Sequence, residues 1–334
     1  MNAPRIAHGG GIAAAAARFG GRPEDWLDLS TGINPNPVAV PAVDIAAWHR
    51  LPDRHRQDET RTAAARYYST QARPLPVPGT QSVIQLLPRL VAAGRRAAVF
   101  SPTYGEYARV LGNAGVPVDL VRSPDDVTEA HGLVIIVNPN NPDGRLFPRE
   151  TLLDLHRRVS STGGLLVVDE AFGDMRPENC IAPLAGDVMP GLLVFRSFGK
   201  FFGLAGLRLG FVIGESAVLD RIEDGLGPWA VSGPALTIAT KLMTADTSGI
   251  RRAIEQRKAA LDAALSVAGL TVVGGTGLFS LVDHADAAVL HEGLCRHHIL
   301  VRPFDYNPRW LRFGLTPDAE GDTRLGAALA QGMR

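Results

Sequence analysis

A chain of 334 residues and 35.6 kDa is long enough for a large domain with a smaller companion. Its 34 basic and 34 acidic residues cancel, and no long like-charge run appears, which argues against a nucleic-acid-binding stripe. The apolar run Ile12 to Ala17 is too short for a signal core or a bilayer span, so no membrane association is expected.

The two cysteines, Cys180 and Cys295, lie far apart without metal-ligand spacing. They read as free buried thiols of a reducing compartment, and a cytoplasmic protein without a metal site is expected. Residues 1–50 are rich in glycine and proline and read as irregular. Helices are predicted from Asp58 to Tyr68 and, after Gly79-Thr80-Gln81-Ser82, from Val83 to Ala93. Then the pattern alternates. Strands are predicted at Ala97–Ser101, Leu133–Asn138, Leu165–Val168, Leu192–Ser197 and Leu207–Ile213, with helices at Tyr104–Ala114 and Thr151–Ser161 between them. Short apolar strands separated by helices predict an α/β fold with a mostly parallel central sheet covered by helices on both faces.

After Gly214 the texture changes. A long helix is predicted at Ser248–Ala268, strands at Thr271–Val273 and Leu278–Val282, a helix at Asp286–His297, a strand at Trp310–Leu315 and a last helix from Ala319. This predicts an N-terminal arm over 1–45 that contributes to the small domain and the site. A large domain over 46–235 and a smaller α+β domain over 236–334 follow. Parallel sheets bind ligands at the carboxyl ends of their strands. Asn138 to Asn141, Asp169, and Ser197 to Lys200 all fall just past predicted strand ends.

The segment Arg196-Ser197-Phe198-Gly199-Lys200-Phe201-Phe202-Gly203-Leu204-Ala205-Gly206-Leu207-Arg208-Leu209-Gly210 resembles the cofactor-lysine segment of the aspartate-aminotransferase superfamily. Asn138-Pro139-Asn140-Asn141-Pro142-Asp143-Gly144 is similar to its asparagine-proline-glycine motif, and Asp169-Glu170-Ala171-Phe172 to its aspartate motif. The resemblance covers nearly the whole chain and implies a fold type I pyridoxal-phosphate enzyme, built as a homodimer.

The resemblance implies a role for each matching residue. Lys200 would carry pyridoxal 5'-phosphate as an imine and then move a proton at the substrate Cα. Asp169 would face the pyridine nitrogen; the apolar run before it buries the carboxylate, which favours a charged partner. Asn141 would donate to the phenolic oxygen and Tyr104 would stack on the ring. Gly79, Thr80, Gln81, Ser197 and Arg208 would hold the cofactor phosphate. Arg208 sits between Leu207 and Leu209, and a buried arginine favours an anion. Arg312 would bind the substrate carboxylate, with Arg302 and His8 near a substrate phosphate. His297-His298 reads as a helix end and not as a metal ligand pair.

Two branches fit: threonine-phosphate decarboxylases of cobalamin biosynthesis and histidinol-phosphate aminotransferases. Ala7-His8-Gly9-Gly10, Ser30-Thr31-Gly32-Ile33-Asn34-Pro35, Phe172 and Pro228-Trp229-Ala230-Val231-Ser232 resemble the decarboxylase branch. That implies a phosphorylated amino acid, L-threonine O-3-phosphate, as the substrate. Leu51 stands where relatives carry a tyrosine that reaches the neighbouring subunit's phosphate, and Gly32 stands where the decarboxylase pattern has asparagine. The shared motifs leave open which bond to Cα breaks, so amino transfer is the alternative. A non-catalytic cofactor-binding partner is a third reading.

Overall fold

The structure is a computed structural model that describes residues 8–332. The chain forms two compact units, a large one over Val38–Asn140 and Leu146–Thr247, and a small one over residues 8–37, Asn141–Arg145 and residues 248–332. These divisions fall at 37/38 and 247/248, some residues away from the expected 45/46 and 235/236. The helix Gly233–Met243 explains the second difference. Thr60 on the helix Arg54–Tyr67 hydrogen-bonds Thr240 at 2.9 Å, and Arg56 donates to Thr237 at 2.9 Å.

The large unit holds a seven-stranded sheet in the order Leu75–Val77, Gly210–Ile213, Leu192–Ser197, Leu165–Asp169, His131–Val137, Arg96–Phe100, Val118–Val121. Five strands run parallel, while Gly210–Ile213 runs antiparallel to both of its neighbours. All seven residues of His131–Val137 are buried, as a strand covered on both faces requires. The core gathers Ile135, Val167, Leu193, Phe195 and Val212 beneath the helices. Neighbouring strands end together: Asn138 N donates to Asp169 O at 2.8 Å, and Glu170 N to Phe195 O at 2.9 Å. Three polar strand ends are thereby aligned along one edge.

The small unit carries an antiparallel sheet in the order Arg302–Phe304, Asn307–Gly314, Phe279–Asp283, Thr271–Thr276. Leu27–Asp28 pairs in parallel with Ile299–Leu300. Helices Ser248–Val267, Ala287–Arg296 and Ala319–Gly332 complete it.

Three local expectations are corrected. Residues 12–19, read as irregular, form the helix Ile12–Phe19, because an alanine run has the best helix propensity and ends at Gly20, φ +89°. The helix expected over Val83–Ala93 is instead the short helix Thr80–Ile84 and a 3-10 turn Leu87–Leu90, since Pro88 cannot continue an α-helix. The strand expected from Leu207 begins at Gly210. Cys180 and Cys295 are buried free thiols. Among the described residues no helix is long and apolar enough to cross a membrane, and no His, Cys, Asp and Glu cluster is arranged to hold a metal ion.

Candidate active site

The large unit carries a polar cluster at the carboxyl ends of its parallel strands. Asp169 closes the Leu165–Asp169 strand and is 5% exposed. Its carboxylate accepts the Tyr107 hydroxyl at 2.7 Å and the Ala171 N–H at 3.0 Å. No ion pair reaches it among the described residues. Burial pushes its pKa up; the hydrogen bonds, with the charges of Lys200 and Arg196, oppose this without outweighing it. Lys200 lies in the short helix Phe198–Phe201, one strand over, with Nζ 5.8 Å from the centre of the Phe172 ring.

The Gly79 turn opens the helix Thr80–Ile84. Gly79 has φ +73°, and a Cβ there would lie 2.8 Å from Arg208 Nη2, so only glycine fits. The guanidinium of Arg208 thus lies against the turn. Arg208 itself is exposed, left-handed at φ +53°, and donates to Ala205 O at 3.1 Å. The expectation of a buried arginine between two leucines is corrected: the backbone turn swings its side chain outward. Ser197 ends its strand and is half-buried, as is Thr80. Tyr104 donates to Gln81 Oε1 at 3.0 Å, and Gln81 Nε2 donates to Glu106 at 3.1 Å. Thr103 donates to Asn140 Oδ1 at 2.6 Å, and Asn140 Nδ2 to Pro102 O at 2.8 Å, which ties the tyrosine's loop to the asparagine motif.

The small unit carries a second polar cluster. Arg312, 7% exposed, donates through Nη1 to Asn141 Oδ1 and through Nη2 to Ser30 O at 2.7 Å. Its Nε is buried without a hydrogen-bond partner among the described residues. Burial, together with the like charge of Arg302, lowers its pKa to about 10. Arg302 faces Arg312 across the two strands in register and is half-buried. The neighbour Ser30 is buried, and so is Gly32; His8 is exposed. Asn141 is seated by the turn that follows it. Gly275 N donates to Asp143 O at 3.1 Å, and a Cβ on Gly144 would fall 1.8 Å from Gly275 O.

Three features escaped the sequence reading. Tyr107, the partner of Asp169, is fully buried one helical turn past Tyr104; a second aromatic on the inner face of that helix was the available signal. Glu106 is 3% exposed and ion-paired with Arg109 at 2.6 Å, yet looks in sequence like an ordinary first-turn acid. Arg196 is buried behind Asp169, paired with Glu170 at 2.9 Å and Asp174 at 3.0 Å. Nothing local announced that network, because its members come from three segments.

The chain is similar to several known proteins. Residues 24–329 match the family model "Aminotransferase class I and II". A threonine-phosphate decarboxylase of Sinorhizobium sp. is 63% identical over 99% of both chains, and one from Pseudomonas aeruginosa is 42% identical over 97% of both. Among solved structures, a histidinol-phosphate aminotransferase from Sinorhizobium meliloti, in complex with pyridoxal-5'-phosphate, superposes with a TM-score of 0.80 at 22% identity. It covers 99% of this chain and 95% of its own. A lysine and a buried acid on adjacent strand ends, in a chain matched almost throughout, lead to one assignment: the protein belongs to the aminotransferase class I and II family.

Proposed function

We propose that the protein is a pyridoxal 5'-phosphate-dependent decarboxylase. It converts L-threonine O-3-phosphate to (R)-1-amino-2-propanol O-2-phosphate and carbon dioxide, in cobalamin biosynthesis. The observation that carries this reading is the 63% identity, along 99% of the chain, to a threonine-phosphate decarboxylase.

Two features of the structure fit the cofactor. Asp169 is a buried carboxylate that no ion pair reaches among the described residues, and a protonated pyridine nitrogen would be its counter-charge. The Gly79 turn brings the Arg208 guanidinium against the backbone that opens the helix Thr80–Ile84, and a cation beside backbone N–H groups suits a phosphate group. When bound, the cofactor supplies an electron-poor ring that accepts the electron pair left at Cα.

The chain's own residues do the rest. Lys200 would be the residue that holds the cofactor, and its amine can carry a proton at the substrate Cα. Asp169 keeps the positive charge on the ring nitrogen, and Tyr107 keeps Asp169 pointed by its 2.7 Å hydrogen bond. Tyr104 offers a flat face to the ring. The backbone N–H groups at Gly79, Thr80 and Gln81, the Ser197 hydroxyl and Arg208 bind phosphate. In the small unit, Asn141 turns its carbonyl to Arg312, which leaves the amide Nδ2 as its donor to the phenolic oxygen. Arg312 orients the substrate carboxylate, so that the Cα–carboxylate bond stands where its electrons can delocalise. Orientation counts for more here than tight ground-state pairing. Arg302 and His8, with the backbone at Gly32, serve the substrate phosphate.

The protein works as a cytoplasmic homodimer. Val40, Ile45, Trp48, Leu51 and Trp229 are each more than half exposed on the large unit, and a second copy of the chain is the surface they fit. Product analysis tests the activity. Carbon dioxide release from threonine phosphate, without a keto acid, is the expected result. Rapid amino transfer from histidinol phosphate to 2-oxoglutarate, with no carbon dioxide from threonine phosphate, would overturn it in favour of an aminotransferase.

A further inference from the structure

We infer that Glu106 is a positioning residue for the cofactor: acting through the Gln81 amide, it fixes the hydroxyl, and so the ring, of Tyr104. The inference rests on the reading of the large-unit cluster as a pyridoxal-phosphate site.

The argument begins at the carboxylate. Glu106 is 3% exposed, and Arg109 holds it from the solvent side with hydrogen bonds of 2.9 and 2.6 Å. An ionised carboxylate only accepts hydrogen bonds. The end of Gln81 that meets it must therefore be the Nε2 donor, and the contact is 3.1 Å. That fixes which way the amide points. Its carbonyl oxygen faces the Tyr104 hydroxyl at 3.0 Å, so the tyrosine donates and the glutamine accepts. Without a fixed acid at Glu106, the Gln81 amide has two nearly isosteric orientations, and in one of them it presents N–H to Tyr104.

Two consequences follow. The side chain of Gln81 is committed at both ends, so this residue meets the cofactor phosphate through its backbone N–H and not through its amide. The Tyr104 proton is committed too. Burial, with the negative charges of Glu106 and Asp169, raises the phenol's pKa to about 12. Tyr104 therefore works as a neutral aromatic surface, not as an acid or base. The ring is anchored at its hydroxyl by Gln81 and lies edge-on to Tyr107, with 6.1 Å between centroids. Tyr107 in turn holds Asp169. One chain of contacts thus links the ring expected to stack on the cofactor with the acid expected at its nitrogen.

A double-mutant cycle on the holoenzyme tests the link. The readouts are the cofactor dissociation constant and the visible circular dichroism of the bound cofactor, with thermal melting as the control for folding. Glu106→Met removes the acceptor, and cofactor binding is expected to weaken by about three- to tenfold, the scale of one hydrogen bond. The dichroism band should change with it. Glu106→Gln, whose carbonyl still accepts, is expected to restore both. In the Tyr104→Phe background, Glu106→Met should change the dissociation constant by less than about twofold.

A Glu106→Met protein with wild-type affinity and dichroism would overturn the inference. So would an equal loss in both the Tyr104 and the Tyr104→Phe backgrounds, since the acid would then act by another route. If Glu106→Met does not fold, Gln81→Met cuts the same link from the other side, with the same expectations and the same overturning results. Failure of the wild-type protein to bind pyridoxal phosphate would instead sink the site assignment itself, so the two failures are distinguishable.

Discussion

At Asp169, stability and function pull in opposite directions. Burial raises the folded-state pKa of this carboxyl, so the folded protein without cofactor holds the proton to a higher pH than the unfolded chain does. The stabilising contribution of that proton is complete below the unfolded carboxyl's pKa and is lost as pH rises through the folded one. As pH rises through the folded pKa, the cofactor-free fold takes on a buried charge that asparagine would lack. Asp169→Asn is therefore expected to melt higher than the wild type at pH 8 when both lack cofactor, with the gap closing towards pH 4. The same variant should lose activity by at least about 100-fold, because the acid acts on charge that develops during the reaction. Thermal melts at the two pH values check the first part, and turnover of threonine phosphate checks the second. A variant destabilised equally at both pH values would show that the carboxylate already has a counter-charge in the bare protein.

Among the elements, periodicity carried the parallel sheet well, because strands buried on both faces are continuous apolar runs. His131–Val137, Leu165–Asp169 and Leu192–Ser197 were all legible, together with the polar residues at their ends. Direction was not legible: Gly210–Ile213 is as apolar as its neighbours yet runs antiparallel, because direction depends on the connection and not on composition. The helix Ile12–Phe19 was hidden among glycines. The grouping of Asn141–Arg145 with the small unit was hidden as well, since it depends on an approach of two distant glycine segments. Of the candidate site, the motifs pointed to Lys200, Asp169 and Asn141 as candidates, whereas Tyr107 and Glu106 became visible only through their partners. The glycine approach gives the prediction proper to this scale. Gly144 has φ +71°, and an added Cβ would overlap Gly275 O. Gly144→Ala should cost at least about 1–2 kcal/mol from its backbone conformation alone, and more from the overlap. Because the turn seats Asn141, the cofactor spectrum should shift in the variant even where the protein still folds. Denaturant unfolding and the visible spectrum of the holoenzyme check the two halves, and an unchanged midpoint would mean that the turn moves away freely.

For the whole molecule, the informative surface is the one that exposes large apolar side chains. Ile45 is 72% exposed, Trp48 and Leu51 are each 65% exposed, and Val40 and Trp229 are 57% and 54% exposed. Four of the five lie within residues 40–51, and exposed large side chains that cluster mark an interaction surface more often than isolated ones do. The short helix Ala46–His49 that carries Trp48 is held from beneath: a Cβ on Gly233 would fall 2.4 Å from Ala47 O, so the backbones are in contact. A net charge of +0 and a sequence pI near 7.1 provide no repulsion to keep two copies apart at neutral pH. Light scattering should therefore give the wild type twice the 35.6 kDa chain mass at micromolar concentration. The double variant Ile45→Asp, Trp48→Asp places two carboxylates in the patch, which a buried interface would have to desolvate unpaired. It should scatter as a single chain while keeping its far-ultraviolet dichroism, because both side chains are exposed and contribute little to their own unit's core. A wild type that scatters as one chain would remove the dimer, and Leu51 would then need no partner to explain its exposure.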